Sequence, residues 1–420
     1  MVKEKEGLHW AWIVLGTCFV NLFINYSIRL GYGVVLPEMI QALGFSRAAG
    51  GSIYNAYLLS YVSLTPFAGY LTDRLGARRV ITVCAAILGG GVLLMGSVGS
   101  FWAACLFFAV AGVGSTGMWT PVITVVQRWF APRRRGLALG ILSTGYGLGF
   151  AFMGVAFPWI VNRLTWRYAW YFLGAGALVM VAVNGFLLRS DPASAGVRPW
   201  GQKREEPPAE GPLMPSVPGT PVLAQVLRDR TFWLVGLSYF AISYGLYGIT
   251  TFMVDYAKSQ LGLSLESAGL LATVHGTCQV IGVLTLLPLS DVLGRKRAIT
   301  LSNAVVTVCL IGVLLSGRSW GLLYLFVGIL AVCFGATFPM YGACAGDFFP
   351  KKIMGTVIGA WTPFYGLGAI SVHWVSGILR DATGTYAYPF LINVFLAGLS
   401  TLLISLVGRS KGPGSGPEPG

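Results

Sequence analysis

LTDRLGARR, residues 71–79, marks the architecture because it returns 218 residues later as LSDVLGRKR, residues 289–297. Each copy is a charged turn between two apolar runs, with an aspartate, a glycine and a basic group at fixed spacing. The echo extends outward. LGFSRAAGG (43–51) repeats at the same offset as LGLSLESAG (261–269), and WFAPRRRGLALGIL (129–142) repeats 219 residues on as FFPKKIMGTVIGAW (348–361). Three separated segments at one near-constant offset mark two parallel halves, an arrangement that places a binding site at the repeat interface and permits rocking.

The material around these turns is membrane-like. The 420 residues are 55% hydrophobic and only 10% charged, with a mean hydropathy of +0.71; a soluble domain carries about 25% charge. Apolar runs of helical length fall at about 9–38, 49–70, 79–98, 101–126, 136–161, 167–189, 231–254, 267–289, 297–317, 320–345, 354–379 and 386–408. The spacing predicts an all-α protein with twelve transmembrane helices in two six-helix bundles. The bundles are expected at 1–190 and 230–410, with a Pro-, Gly- and charge-rich linker at 191–229 and a disordered tail at 411–420. Alternating segments of a membrane β-barrel are absent. The first run is too long and too polar for a cleaved leader and is kept as a span.

The net charge of +14 is a topology signal. Of 29 Lys and Arg residues, 22 fall on the side shared by both termini and the linker. By the positive-inside rule that side is cytoplasmic, in a plasma or bacterial inner membrane, and no nucleic-acid partner is implied. The seven cysteines all lie in apolar segments without metal-ligand spacing, so neither a disulfide framework nor a metal or other cofactor is expected.

The first run is not uniformly oily. Asn21, Asn25 and Arg29 recur every four residues and share one helix stripe. A guanidinium cannot discharge itself, and at mid-membrane it costs about 3 kcal/mol on insertion scales. Arg29 is the one permanent cation near the middle of any span. No carboxylate lies at a span centre, which argues against cationic substrates and for an anion.

The run Gly69 to Arg79, with Asp73, Arg74, Gly76 and Arg78, resembles the signature loop of the major facilitator superfamily. Its echo at Asp291, Gly294 and Arg295 strengthens the likeness. The entry Glu6-Gly7-x-x-Trp10-x-Trp12 and the run Trp129 to Gly140 are similar to signatures of the monocarboxylate transporter branch. Gly145 to Gly149 looks like the related oxalate–formate exchangers. The resemblance implies alternating-access transport of small monocarboxylates such as lactate or pyruvate, often with a proton. It also implies that the two charged loops lock the cytoplasmic face. The family's basic residue in span 1 falls on Leu30, one residue past Arg29. In span 8 the family carries Asp and Arg, whereas this chain has neither at mid-span. In span 11 the exchangers carry Lys and this chain has Trp361.

These departures leave Arg29, helped by Asn25, as the expected anion ligand. Offset 218 maps Arg29 onto Tyr247 and Tyr57 onto His275. Tyr247, Trp119 before Thr120-Pro121, and Trp361 are the aromatic candidates. His275, near the middle of span 8, is the candidate proton carrier or a hydrogen-bonding ligand of the carboxylate, since imidazole titrates near neutrality. Gln279 lies one turn on, and His373 is read as packing. Arg47, Asp255 and Lys258 are expected at the outer mouth, either as a gate or as solvated surface. The expected function is a proton-coupled monocarboxylate transporter in the lipid bilayer. The alternatives are an exporter of neutral compounds and a non-transporting membrane sensor. No nucleophile–base pair suggests an enzyme.

Overall fold

A computed structural model describes residues 9–202, 226–317, 319–349 and 353–408. The central part of the linker, the tail, Lys351, Lys352 and the Glu6-Gly7 pair lie outside the described residues. The fold is all-helical and forms two compact units, Met1–Phe45 with Ile53–Pro212, and Ser46–Ser52 with Leu213–Gly420.

The first unit holds α1 (Trp10–Arg29), α2 (Tyr32–Leu43), most of α3 (Arg47–Leu75), α4 (Ala77–Gly96), α5 (Phe101–Ser115), α6 (Thr120–Trp129), α7 (Pro132–Arg163) and α8 (Trp166–Leu187). The second holds α9 (Arg230–Asp255), α10 (Leu265–Leu293), α11 (Arg295–Leu315), α12 (Trp320–Phe348), α13 (Met354–Thr383) and α14 (Ala387–Ser405). Among the described residues, ten helical segments are long and apolar enough to cross a membrane, α1 joined to α2 and α5 joined to α6 each counting as one. Helices α3 and α13, of 29 and 30 residues, bring the long segments to twelve. Side chains such as Trp102, Phe186, Val292 and Leu315 stand more than three-quarters exposed, a surface suited to lipid and not to water.

Packing inside the units follows the repeat. Helix α1 packs on α7 and α8, and α9 correspondingly packs on α13 and α14. Lipid tails are as apolar as leucine, so such contacts rest on close backbone approach and hydrogen bonds. A Cβ on Gly149 of α7 would sit 2.4 Å from the Phe23 carbonyl oxygen of α1. Its counterpart Gly368 of α13 would place one 2.3 Å from the Phe240 carbonyl oxygen of α9. Beside these crossings, Ser27 Oγ donates to the Gly149 carbonyl at 3.0 Å and Ser243 Oγ to the Tyr365 carbonyl at 2.7 Å.

Two spans expected as continuous are interrupted. Span 1 breaks at Leu30–Gly31, immediately after Arg29, and Gly31 is close-packed against Met153. Span 4 breaks at Thr116–Trp119, where Trp119 leaves the helical region (φ −122°, ψ −78°) before Pro121 opens α6. The start of the polar connection also has a place. Trp200 bridges to Phe130, its N–H donating to the Trp129 carbonyl at 2.8 Å, and its ring lies 5.0 Å from that of Trp12.

Candidate functional site

In the first unit the stripe on α1 divides into three jobs. Asn21 exchanges reciprocal amide hydrogen bonds with Asn184 of α8, at 2.7 and 3.0 Å. Asn25 Oδ1 accepts from Ser115 Oγ at 2.8 Å, and that hydroxyl accepts from Tyr57 OH at 2.6 Å. Arg29 lies one turn beyond Asn25 on the same stripe. It ends α1, where the carbonyl end of a helix favours a cation, and is only 8% exposed. Its guanidinium carbon lies 4.8 Å from the Tyr61 ring centre and 5.8 Å from that of Tyr26. Among the described residues, Arg29 is the only Lys or Arg that is buried.

Tyr26 extends this wall. Its ring lies 4.2 Å from Tyr146 and 6.3 Å from Trp119 at the break in span 4. Arg29, Tyr26, Tyr61, Trp119 and Tyr146 therefore form one connected group, held at two helix interruptions. Interrupted helices are where transporters place ligand sites. Sequence reasoning selects Arg29, Asn25 and Trp119. It leaves Tyr26, Tyr61 and Tyr146 among many aromatics, because only their placement around Arg29 singles them out.

The second unit carries a different polar group. His275 of α10 is fully buried, its Nε2 is 3.2 Å from Thr250 Oγ1 of α9, and its ring lies 5.5 Å from Phe334 of α12. Tyr247 lies 5.8 Å from Phe334, 5.7 Å from Tyr365 and 6.2 Å from His373. His373 Nε2 is in turn 2.9 Å from Thr251 Oγ1. The structure thus brings both histidines to the same pair of turns on α9. The outer position of His373 suggests packing alone; its polar neighbour is supplied by another helix and leaves no mark in the sequence.

Trp361 is placed elsewhere. Its indole N–H donates to the Phe232 carbonyl in the first turn of α9 at 2.9 Å, and its ring borders a cavity of about 120 Å³ with Tyr239, Phe338 and Tyr341. It is tied to the start of α9, while Tyr365, one turn further along α13, reaches Tyr247.

The two charged turns share one backbone device. Gly76 and Gly294 adopt φ +82° and +85° with ψ 142° and 133°, a region open essentially to glycine alone. Asp291 pairs with Arg295 inside its own turn, and Arg295 also donates to Ser290 Oγ at 2.5 Å. Arg78 donates from its N–H to Ser190 Oγ at 3.1 Å and from its guanidinium to the Gly185 carbonyl. Arg74 lies 4.8 Å from the Tyr70 ring, and Asp73 is exposed. At the far end of α3, Arg47 Nε meets Asp255 Oδ2 at 3.1 Å, and Tyr386 OH donates to the same carboxylate. The Arg47 and Ala48 N–H groups donate to Asp381 at 3.0 and 2.8 Å. Asp255 is 1% exposed, so solvated surface is the wrong description of this pair.

Among the described residues no group of His, Cys, Asp and Glu is placed to hold a metal ion. Comparison with known proteins gives a family model described as Major Facilitator Superfamily, matching residues 18–264 and 235–420. The chain is 24% identical over 413 residues to the probable sulfoacetate transporter SauU of Cupriavidus necator, covering 95% of this chain and 94% of that protein. It is 24% identical over 421 residues to monocarboxylate transporter 13 of Rattus norvegicus, covering 94% and 89%. A solved structure of a mutant form of the nucleoside transporter NupG superimposes with a TM-score of 0.73 at 14% identity, over 95% of this chain and 99% of that one, which is a likeness of fold. With the repeated signature turns and the twelve long helical segments, these matches establish that the chain belongs to the major facilitator superfamily, a family of multi-pass membrane transporters and not of enzymes.

Proposed function

We infer that this chain carries a small organic acid across the membrane and that Arg29 holds the acid group. One observation carries the reading: a guanidinium at the interrupted end of α1, 8% exposed, flanked by the rings of Tyr26 and Tyr61. A charge kept in an apolar bundle at that cost is a ligand or pathway residue by default. Arg presents a planar fork that matches carboxylate and sulfonate oxygens. The relatives named for sulfoacetate and for monocarboxylates both carry such groups.

The substrate class read here is an organic anion, with lactate- and pyruvate-sized monocarboxylates at its small end. Asn25 and Trp119 shape the wall around Arg29, while Tyr247 and His275 serve the second unit. The accompanying proton rides on His275 or on the acid itself. The basic bias of the sequence puts both termini and the charged turns at Asp73 and Asp291 on the cytoplasmic side.

The test is uptake of labelled lactate, pyruvate, sulfoacetate and gluconate into proteoliposomes, with and without an inward proton gradient. Saturable uptake of at least one acid, competed by the others, is expected. If no acid is bound or taken up, the reading fails. Acid uptake unaltered by the gradient removes the proton from the mechanism and leaves the anion.

A further inference from the structure

We propose that Gln279 is a specificity-determining residue that reads a hydroxyl group of the carried acid, making this a transporter for hydroxylated organic acids. The inference rests on the organic-acid reading above.

Gln279 lies on α10, one turn from His275 and on the same buried stripe. It is fully buried. Neither its amide nitrogen nor its amide oxygen has a hydrogen-bond partner among the described residues. Buried side-chain polar atoms are in large majority bonded, and one that is not calls for a ligand, water or ion. Asn21 and Asn184, also buried amides, satisfy each other in the first unit, so the fold can pair such groups where pairing is their purpose.

Position supplies the second argument. The repeat runs at offset 218 on both flanks of α3 and α10, without a gap, so Gln279 is the counterpart of Tyr61. Tyr61 is the ring 4.8 Å from the Arg29 guanidinium, and Arg29 itself maps to Tyr247. Arg29 and Tyr61, two members of the connected group in the first unit, thus correspond to Tyr247 and Gln279 in the second. The cation and its stacking ring have been replaced by a phenol and an amide.

The chemistry of the amide selects the ligand. A glutamine side chain offers two donors and one acceptor. A carboxylate can only accept and would leave the amide oxygen unmet; an ammonium can only donate and would leave the amide nitrogen unmet. A hydroxyl does both. Asn393 has the same deficit, but its amide lies against Gly248 on α9, a position that maps to Leu30. It serves as the control.

The experiment uses the full chain in proteoliposomes with gluconate and hexanoate, six-carbon acids that differ in their hydroxyls. Wild type is expected to prefer gluconate. Gln279→Met, nearly isosteric and apolar, is expected to lower kcat/KM for gluconate about tenfold or more, since a site built to bond a hydroxyl discriminates strongly. Uptake of hexanoate is expected to hold or rise, and Tm not to fall. Asn393→Leu is expected to leave the preference unchanged. A Gln279→Met carrier that keeps its preference overturns the proposal, the amide then being met by water. Equal loss of both acids with a lower Tm overturns it too. If Gln279→Met and Gln279→Ala both fail to fold, the amide is structural and the proposal falls. A wild type that carries hexanoate better than gluconate overturns this inference alone. A wild type that carries neither acid overturns this inference, and the organic-acid reading falls with it only if lactate, pyruvate and sulfoacetate are refused as well.

Discussion

Replacing Arg29 by Gln removes a buried charge while keeping a planar amide of similar reach, and the structure sets the size of the effect. An ion pair at about 4 Å in surroundings of effective dielectric about 20 is worth about 4 kcal/mol before the ligand's desolvation is counted. Truncating one partner of a desolvated pair costs about 2–5 kcal/mol, a loss of affinity from about thirtyfold to several thousandfold. Arg29→Lys keeps the charge and loses the fork, with an expected loss of about tenfold. Arg29→Gln should also abolish the rise in Tm that substrate acid gives the wild type in detergent. Tyr61→Leu, which removes the ring 4.8 Å from the guanidinium, should forfeit about 1–2 kcal/mol of cation–π attraction and weaken binding less than Arg29→Gln does. Calorimetric titration of the purified variants measures the affinities, and thermal scans with and without acid measure the rest. Unchanged affinity in Arg29→Gln, or a fall in Tm with affinity retained, refutes the assignment and makes Arg29 a packing residue.

Three further outcomes follow from the geometry. In a double-mutant cycle, Arg47→Met with Asp255→Leu should show a coupling of about 1–3 kcal/mol, because Asp255 is 1% exposed while the Arg47 side chain is 28% exposed; a thermal-melt coupling near zero marks an idle pair. Gly149→Ala and Gly368→Ala should each lower stability by about 1–3 kcal/mol, since the new methyl meets a backbone oxygen at 2.4 and 2.3 Å, and melts indistinguishable from wild type contradict the crossings. Gly76→Ala and Gly294→Ala should be costly by about 1–3 kcal/mol each for backbone reasons, with the Gly76 methyl also 3.3 Å from Ser190 Oγ. Gly185→Ala, with open space around its Cβ position, is the control that should melt like wild type.

The membrane class, the helical architecture and the repeat were legible in the chain because they rest on quantities that a sequence carries without folding: hydropathy over about 20 residues, charge asymmetry between turns, and a constant offset. The glycines of the charged turns were legible for the same reason, since a positive φ is a local demand. Arg29 was legible because a permanent cation in an apolar run is anomalous wherever it points. What surrounds it was not. Tyr26, Tyr61 and Tyr146 look like any other aromatic in a membrane helix until three helices bring them together around one guanidinium and one another's rings. The interruptions of spans 1 and 4 were equally hidden, because hydropathy continues through Leu30–Gly31 and Thr116–Trp119 while the hydrogen-bond ladder does not. The partners of His373 and Trp361 were hidden for a like reason, one finding Thr251 and Tyr247 across a helix contact and the other spending its N–H on Phe232. Asn21, Asn25 and Gln279 show the limit most plainly. The chain alone shows that three amides lie inside apolar helices and that a permanent cation lies beside two of them. Helix packing then satisfies Asn21 and Asn25 through Asn184 and Ser115 and leaves Gln279 unmet among the described residues, because a hydrogen bond is made by whatever the neighbouring helix presents within about 3 Å.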